Sequence, residues 1–69
     1  TLQQLEYVVA LADHGQFLKA AEACDVTQPT LSSMIQKLED ELGAKLFDRR
    51  SKPVVPTVVG RIVVEQARE

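Results

Sequence analysis

Cysteine, histidine and long apolar runs are scarce in this sequence of 69 residues, and each scarcity excludes a class of protein. Cys24 is the only cysteine, so it cannot form an internal disulfide, which fits a reducing compartment. The longest apolar run, Tyr7 to Ala12, has six residues, whereas a membrane helix needs roughly 20. The N-terminus lacks the basic flank and apolar stretch of a signal peptide. We therefore expect no membrane association.

Groups that could carry catalysis or hold a cofactor are also sparse. His14 stands without the cysteine or histidine companions of a metal site. Ser32 and Ser33 have no positioned base, because the lone histidine falls on another predicted element. Cys24 could be a redox sensor, but it falls on the apolar side of a predicted helix, which favours a buried structural cysteine. The sequence predicts no enzyme, no metal site and no cofactor.

The composition is that of one folded domain. A chain of 7.6 kDa with 45% hydrophobic residues is too small for two domains and too apolar for a disordered tail. It lacks an initiator methionine and ends inside a predicted helix, so we expect a fragment of a longer protein.

The net charge of −2 hides an uneven distribution of charge along the chain. Residues 1–44 carry two bases and seven acids, a net −5, and residues 45–69 carry six bases and three acids, a net +3. Because binding responds to the local field, the basic end remains compatible with DNA.

The apolar period predicts two helices in the first third of the chain. The first extends from a Thr1 cap, with Gln4 at the capping-box spacing, to Gly15. Its buried stripe is predicted to be Leu5, Val8, Val9 and Ala12. A short second helix repeats the spacing in Phe17, Ala20, Ala21 and Cys24. A tight connection at Asp25-Val26 follows, with Val26 as a buried plug.

A third helix is predicted from residue chemistry at both ends. Thr27 is its N-cap, Pro29 lies in its first turn, and Gly43 is its C-cap. Its predicted buried stripe is Leu31, Ile35, Leu38 and Leu42. After Gly43 two short strands are expected around a turn at residues 51–53, with Pro56 at an edge position. Thr57 then caps a last helix, whose predicted apolar stripe is Val59, Ile62, Val63 and Ala67.

This order of elements predicts a mainly α winged helix-turn-helix, with a three-helix core and a two-stranded wing. The helix-turn-helix itself is placed at about residues 17–36, because a short second helix joins the third through two or three residues. The third helix carries no charge from Val26 to Gln36, so no acid near its start would repel phosphate. Its small polar residues would fit a major groove, and the Gln28 amide could read adenine. The alternative is that these residues are caps and surface filler.

The wing supplies a second argument for DNA. Arg49, Arg50 and Lys52 cluster beside the predicted turn, and a basic tip of this kind can follow phosphates or enter a narrow minor groove. Taken alone, the cluster could equally be a solvated basic loop. A competing hypothesis makes the domain a winged-helix protein-interaction module that binds no DNA. Its contact would be the acidic cluster Glu39-Asp40-Glu41, whose more ordinary interpretation is a solvated helix end.

Nearly the whole chain resembles a known family. The stretch LEYVVALADHGQFLKAAEACDVTQPTLSSMIQKLEDELGAKLFDRR, followed by the step from Thr57 to Gly60, is similar to the N-terminal DNA-binding domain of LysR-type transcriptional regulators. Within that family the stretches LEYVVALADH and QPTLSSMIQKLEDELG, together with Cys24, look most like the peroxide-responsive OxyR branch. The resemblance implies a bacterial cytoplasmic regulator of transcription. It also implies an effector-binding domain, absent from this chain, that carries the branch's sensing cysteines.

The resemblance implies roles for individual residues. It places a winged helix-turn-helix at 1–57, a recognition helix at 27–42, a wing at 49–53 and the start of a linker helix at 58–69. Together with the polar face and the basic wing, it predicts that double-stranded DNA is contacted by Thr27, Gln28, Pro29, Thr30, Ser32, Ser33, Gln36, Lys37, Arg49, Arg50 and Lys52. The linker helix would join a homodimer through Val59, Ile62, Val63, Gln66 and Ala67. Full-length members of the family are commonly homotetramers.

Overall fold

The computed structural model describes residues 2–68 and contains four helices and one two-stranded sheet within that range. The helices are α1 (Leu2–His14), α2 (Phe17–Ala23), α3 (Gln28–Leu42) and α4 (Val58–Arg68). The strands β1 (Phe47–Asp48) and β2 (Val55–Pro56) pair antiparallel, with Phe47 opposite Pro56 and Asp48 opposite Val55. We call these two strands and the residues between them the wing. The winged helix-turn-helix prediction is confirmed, whereas the predicted Thr1 cap lies outside the described residues.

The ends of α3 follow from its sequence as predicted. The Thr27 hydroxyl accepts a hydrogen bond from the Thr30 backbone N–H at 3.3 Å, so Thr27 is the N-cap. Pro29 lies in the first turn, where its missing N–H leaves no carbonyl unpaired. Gly43 ends the helix in the left-handed conformation, with φ of 67°.

The core lies between α1, α2 and α3 and is closed by the wing and α4. Its buried side chains are Tyr7, Val8, Leu11, Ala20, Ala21, Leu31, Ile35, Leu46, Phe47 and Val64. The two alanines of α2 are buried as predicted, and Phe17 is half-buried beside them. Cys24 and Val26 were both expected to be buried, but each is half-buried at the edge of the core. Both belong to the end of α2 or its connection, where only one side of the chain faces the core.

The predicted buried stripe of α1 is wrong by one residue. Val8 is buried, but Leu5, Val9 and Ala12 are only half-buried. The fully buried stripe has the same spacing and consists of Gln4, Tyr7, Val8 and Leu11. Its first member is polar, which disguised the pattern. Gln4 is tolerated there because its side-chain amide donates to the Glu41 carboxylate on α3 at 3.4 Å.

The predicted stripe of α3 also needs correction at its end. Leu31 and Ile35 are buried and Leu38 is half-buried, but Leu42 is 49% exposed. Glu39 is buried instead, at 2% exposure. The carboxylate can be buried because it accepts hydrogen bonds from groups at the start of the wing.

Hydrogen bonds at Leu46, Val54 and Thr57 fix the wing and the start of α4. The Leu46 N–H donates to Glu39 of α3 at 2.7 Å, and the Leu46 carbonyl accepts from the Thr57 N–H at 2.9 Å. Near the wing tip, the Val54 N–H donates to the Gly15 carbonyl at 2.9 Å. The Thr57 hydroxyl accepts from the Gly60 N–H at 3.1 Å, which confirms Thr57 as the cap of α4.

Candidate nucleic-acid interface

The polar face of α3 forms an open depression on the surface. It has a volume of about 540 Å³ and is lined by Pro29, Ser32, Ser33, Gln36, Lys37 and Asp40. Five of these were predicted to contact DNA, and the fold brings all five onto one surface. The sixth, Asp40, was expected only at the far end of the helix, away from its start. The Gln36 amide donates to the Asp40 carboxylate at 3.0 Å, so the acid is held at the edge of the depression.

Gln28, Thr27 and Thr30 lie at the start of α3, outside that depression. All three are exposed. Thr27 donates its hydroxyl proton to the Thr30 hydroxyl at 2.9 Å while it caps the helix. The alternative that the small polar residues of this helix serve as caps therefore applies to Thr27 and Thr30. Gln28 lies exposed beside them.

A second cleft connects the start of α3 with the wing. Its volume is about 630 Å³, and it is lined by Gly15, Gln16, Phe17, Gln28, Arg49, Lys52, Pro53 and Val54. Gln28 and Lys52, assigned from the sequence to two separate elements, thus share one cleft. Sequence reasoning missed Gln16 and Phe17, although their place at the start of α2, directly after a helix-ending glycine, was a usable signal.

The three cations of the wing have different environments. The Arg50 side chain is 92% exposed and donates to Asp48 at 3.2 Å. That side-chain hydrogen bond, with one from the Arg50 backbone N–H, holds the pKa of Asp48 below its usual value. Lys52 is exposed at the wing tip. The Arg49 side chain is 34% exposed and pairs with the Glu39 carboxylate at 3.2 Å.

The outer side of α4 carries apolar side chains that the domain does not cover. Val58 is 79% exposed, Ile62 is 56% exposed and Val59 is 39% exposed. Gln66 is also exposed, whereas Val63 and Ala67 are half-buried. The residues predicted for dimerisation therefore divide into an exposed group and two half-buried residues, of which Val63 packs against the domain's own core.

Two further features bear on the classes of site considered. Within residues 2–68, no group of three or more histidine, cysteine, aspartate or glutamate side chains is placed to hold a metal ion. Over the same range, no helix is both long enough and apolar enough to cross a membrane.

Comparison with known proteins identifies the fold and the family together. The sequence model for bacterial regulatory helix-turn-helix proteins of the lysR family matches residues 2–61. The chain belongs to the LysR family. The predicted LysR-type resemblance is confirmed, and so is its likeness to the OxyR branch, because OxyR proteins and peroxide-inducible activators are among the similar proteins.

Three similar proteins illustrate the match. The hydrogen peroxide-inducible genes activator of Pectobacterium carotovorum subsp. carotovorum is 55% identical over 67 residues, which are 97% of this chain and 22% of that protein. Full-length OxyR from Pseudomonas aeruginosa is 50% identical, with a TM-score of 0.91 over 99% of this chain and 23% of that one. DarR from Vibrio fischeri, solved in complex with DNA, is 43% identical, with a TM-score of 0.94 over 99% of this chain and 23% of that one. The chain thus spans about a fifth of the length of the curated relative described here.

Proposed function

We propose that this chain is the sequence-specific DNA-binding domain of a bacterial LysR-type transcriptional regulator. The observation that carries the proposal is the cleft in which Gln28 of α3 and Lys52 of the wing lie together, beside the polar face of α3 and the exposed cations of the wing. A helix with this polar face fits the major groove, while a basic wing reaches the neighbouring backbone or minor groove. The similarity to DarR, whose structure was solved with DNA, supports the same mode of binding.

In this proposal α3 reads the bases. Gln28 projects at the tip of the helix, and its amide can both donate to and accept from a base edge, as in pairing with adenine. The small side chains of Ser32 and Ser33 allow the helix to enter the groove closely. Further contacts along α3 are proposed for Thr27, Pro29, Thr30, Gln36 and Lys37.

The wing acts mainly through charge. Lys52 at its tip and the exposed Arg50 beside it would neutralise phosphates or enter the minor groove. Arg49 was expected to do the same, but its guanidinium is paired with the Glu39 carboxylate.

We propose a homodimer joined through α4, with Val59, Ile62, Val63, Gln66 and Ala67 in the contact. The exposed apolar side chains on the outer side of α4 support it. The complete protein would be a cytoplasmic homotetramer, and its separate effector domain would sense hydrogen peroxide, as the name of the Pectobacterium relative suggests. Similar proteins are named as regulators, and we propose no catalytic activity for this chain.

The alternative of a protein-interaction module has less support. Its proposed contact was the cluster Glu39-Asp40-Glu41, but Glu39 is 2% exposed and Asp40 is bonded to Gln36. Only Asp40 and Glu41 remain on the surface; Asp40 lines a depression of polar residues, and Glu41 accepts from Gln4 of α1.

A salt-dependent titration tests the proposal. A fluorescent random-sequence duplex is titrated with the chain in dimer-competent form at low and moderate salt. DNA binding through wing cations should weaken steeply as salt rises, because each neutralised phosphate releases counterions. Absent or salt-insensitive binding would favour the interaction module.

A further inference from the structure

A buried carboxylate joins α3 to the wing. Glu39 is 2% exposed, and its two oxygens have separate partners. Oε2 accepts from the Leu46 backbone N–H at 2.7 Å, and Oε1 accepts from the Arg49 guanidinium at 3.2 Å. A buried charge is costly unless it is paired in this way. Glu39 is therefore stable in the core only while the start of the wing stays against α3.

Arg49 also reaches α2. Its guanidinium carbon lies 5.4 Å from the centre of the Phe17 ring, within the range of a cation–π contact. One side chain of the wing thus contacts α3 through Glu39 and the first residue of α2 through Phe17. Its 34% exposure contrasts with the 92% of its neighbour Arg50.

Apart from Arg49, the wing is fixed to the rest of the domain at its base and near its tip. Each of its strands has two residues, so the ladder between them is short. Its other anchors are the buried Phe47 side chain and the Leu46 backbone groups at its base, and the bond from Val54 to Gly15 near its tip. Arg49 lies between those anchors.

We propose that Arg49 is a positioning residue: through Glu39 and Phe17 it holds the wing at a fixed angle to α3, so that Lys52 meets DNA in register with Gln28, and it does not itself neutralise a phosphate. The proposal rests on the DNA binding proposed above. It differs from the role that the sequence suggested for Arg49, which was a contact to the backbone.

The two roles predict opposite effects of Glu39→Gln. If Arg49 contacts phosphate, removal of the acid frees the arginine and deletes a negative charge, so DNA binding stays equal or tightens. If Arg49 positions the wing, the same change weakens binding by roughly tenfold, within the range of couplings inside one network. Glu41→Gln is the matched control, because Glu41 is an exposed acid on the same helix that contacts Gln4 instead of the wing.

The measurement uses a duplex selected from a randomised pool by the parent chain, with a scrambled duplex beside it. Anisotropy titrations at several salt concentrations compare the parent with Glu39→Gln, Arg49→Ala and the double variant. We expect each single variant to bind the selected duplex more weakly than the parent does. The double variant should bind no more weakly than the weaker of the two single variants, and the dependence of affinity on salt should stay unchanged. A phosphate contact would instead lower the salt slope by about 0.9 in Arg49→Ala. Arg49→Ala would then cause the same loss of affinity in the Glu39→Gln variant as in the parent.

Arg49→Lys keeps the test decisive if Arg49→Ala unfolds at the assay temperature. Lysine can contact a phosphate as a point charge but lacks the planar fork that pairs with Glu39 over the Phe17 ring. Positioning predicts weakened binding, and a phosphate contact predicts nearly parental binding. If the parent enriches no sequence and binds no duplex, the proposed function fails as well. If the parent binds DNA and the variants give the results expected for a phosphate contact, only the positioning role of Arg49 is wrong.

Discussion

Leu46 and Gly60 are in direct backbone contact, because a Cβ placed on Gly60 would overlap the Leu46 carbonyl oxygen. That oxygen accepts from the Thr57 N–H, while the Leu46 N–H donates to Glu39. Leu46 is therefore fixed between α3 and α4, and the absence of a side chain at position 60 allows α4 to approach it.

Gly60→Ala should destabilise the domain. Alanine in place of glycine normally stabilises an exposed helix by about 1 kcal/mol, but here the added methyl group must displace backbone, and we expect a cost of roughly 1–3 kcal/mol or more. Urea unfolding gives the change in free energy. Gly43→Asn is the comparison, because Gly43 has open space around it and asparagine tolerates its left-handed conformation. A Gly60→Ala variant as stable as the parent would show that α4 can move away from Leu46.

Ala21 should not accept a larger side chain. It is 1% exposed in the core, so Ala21→Leu should cost roughly 1–3 kcal/mol through overpacking. The matched control is Ala23→Leu, two residues further along α2 and exposed. Thermal unfolding of both variants is the measurement. Equal melting temperatures for the two variants would mean that the space around Ala21 adjusts freely.

Pairing through α4 should depend on Ile62. The exposed apolar surface of α4 in this chain is short, so a chain about three helical turns longer should dimerise more tightly. In that longer chain, Ile62→Gln should weaken dimerisation measured by sedimentation equilibrium, because Ile62 is 56% exposed and contributes little to the core. Leu18→Gln removes a similarly exposed leucine, at 58%, from α2. Equal dissociation constants for the two variants would place the contact elsewhere.

Cys24 should react slowly with thiol reagents. Partial burial, with a contribution from the Glu6 carboxylate, raises the pKa of its thiol, so less thiolate is present at neutral pH. Alkylation by iodoacetamide should be slower than that of a free cysteine peptide, and Glu6→Gln should accelerate it. Faster alkylation than the peptide would instead indicate a reactive thiol and reopen the redox-sensor hypothesis.

Most of the fold could be predicted because its boundaries depend on local chemistry. The Thr27 cap, Pro29 in the first turn and Gly43 at the end each act within one turn of α3. Burial at Glu39 and exposure at Leu42 could not be predicted in this way, since they depend on Arg49 and the Leu46 backbone, which approach only after the wing folds back.

The candidate site was predicted in its parts but not in its arrangement. The apolar stripe of α3 indicated that the opposite face would be polar, and the residues of that face line one depression in the fold. Asp40 follows Gln36 by four residues, so the helical period alone indicates that it lies on the polar face. The sequence could not show that Gln28 and Lys52 share a cleft or that the charge of Arg49 is matched within the domain. Each of these depends on contacts between elements distant in the chain or on a side-chain direction.

The central claim is that α3 reads bases while the wing acts through charge. It is tested most directly by comparing how Gln28→Ala and Lys52→Ala bind selected and random duplexes. Gln28→Ala should cost about 1–3 kcal/mol on the selected duplex, relax preference at one base pair and leave the salt slope nearly unchanged. Lys52→Ala should weaken binding to both duplexes more evenly and lower the salt slope by about one unit. If Gln28→Ala lowered the slope while discrimination stayed intact, α3 would be a backbone clamp, and the assignment of base reading to this helix would be wrong.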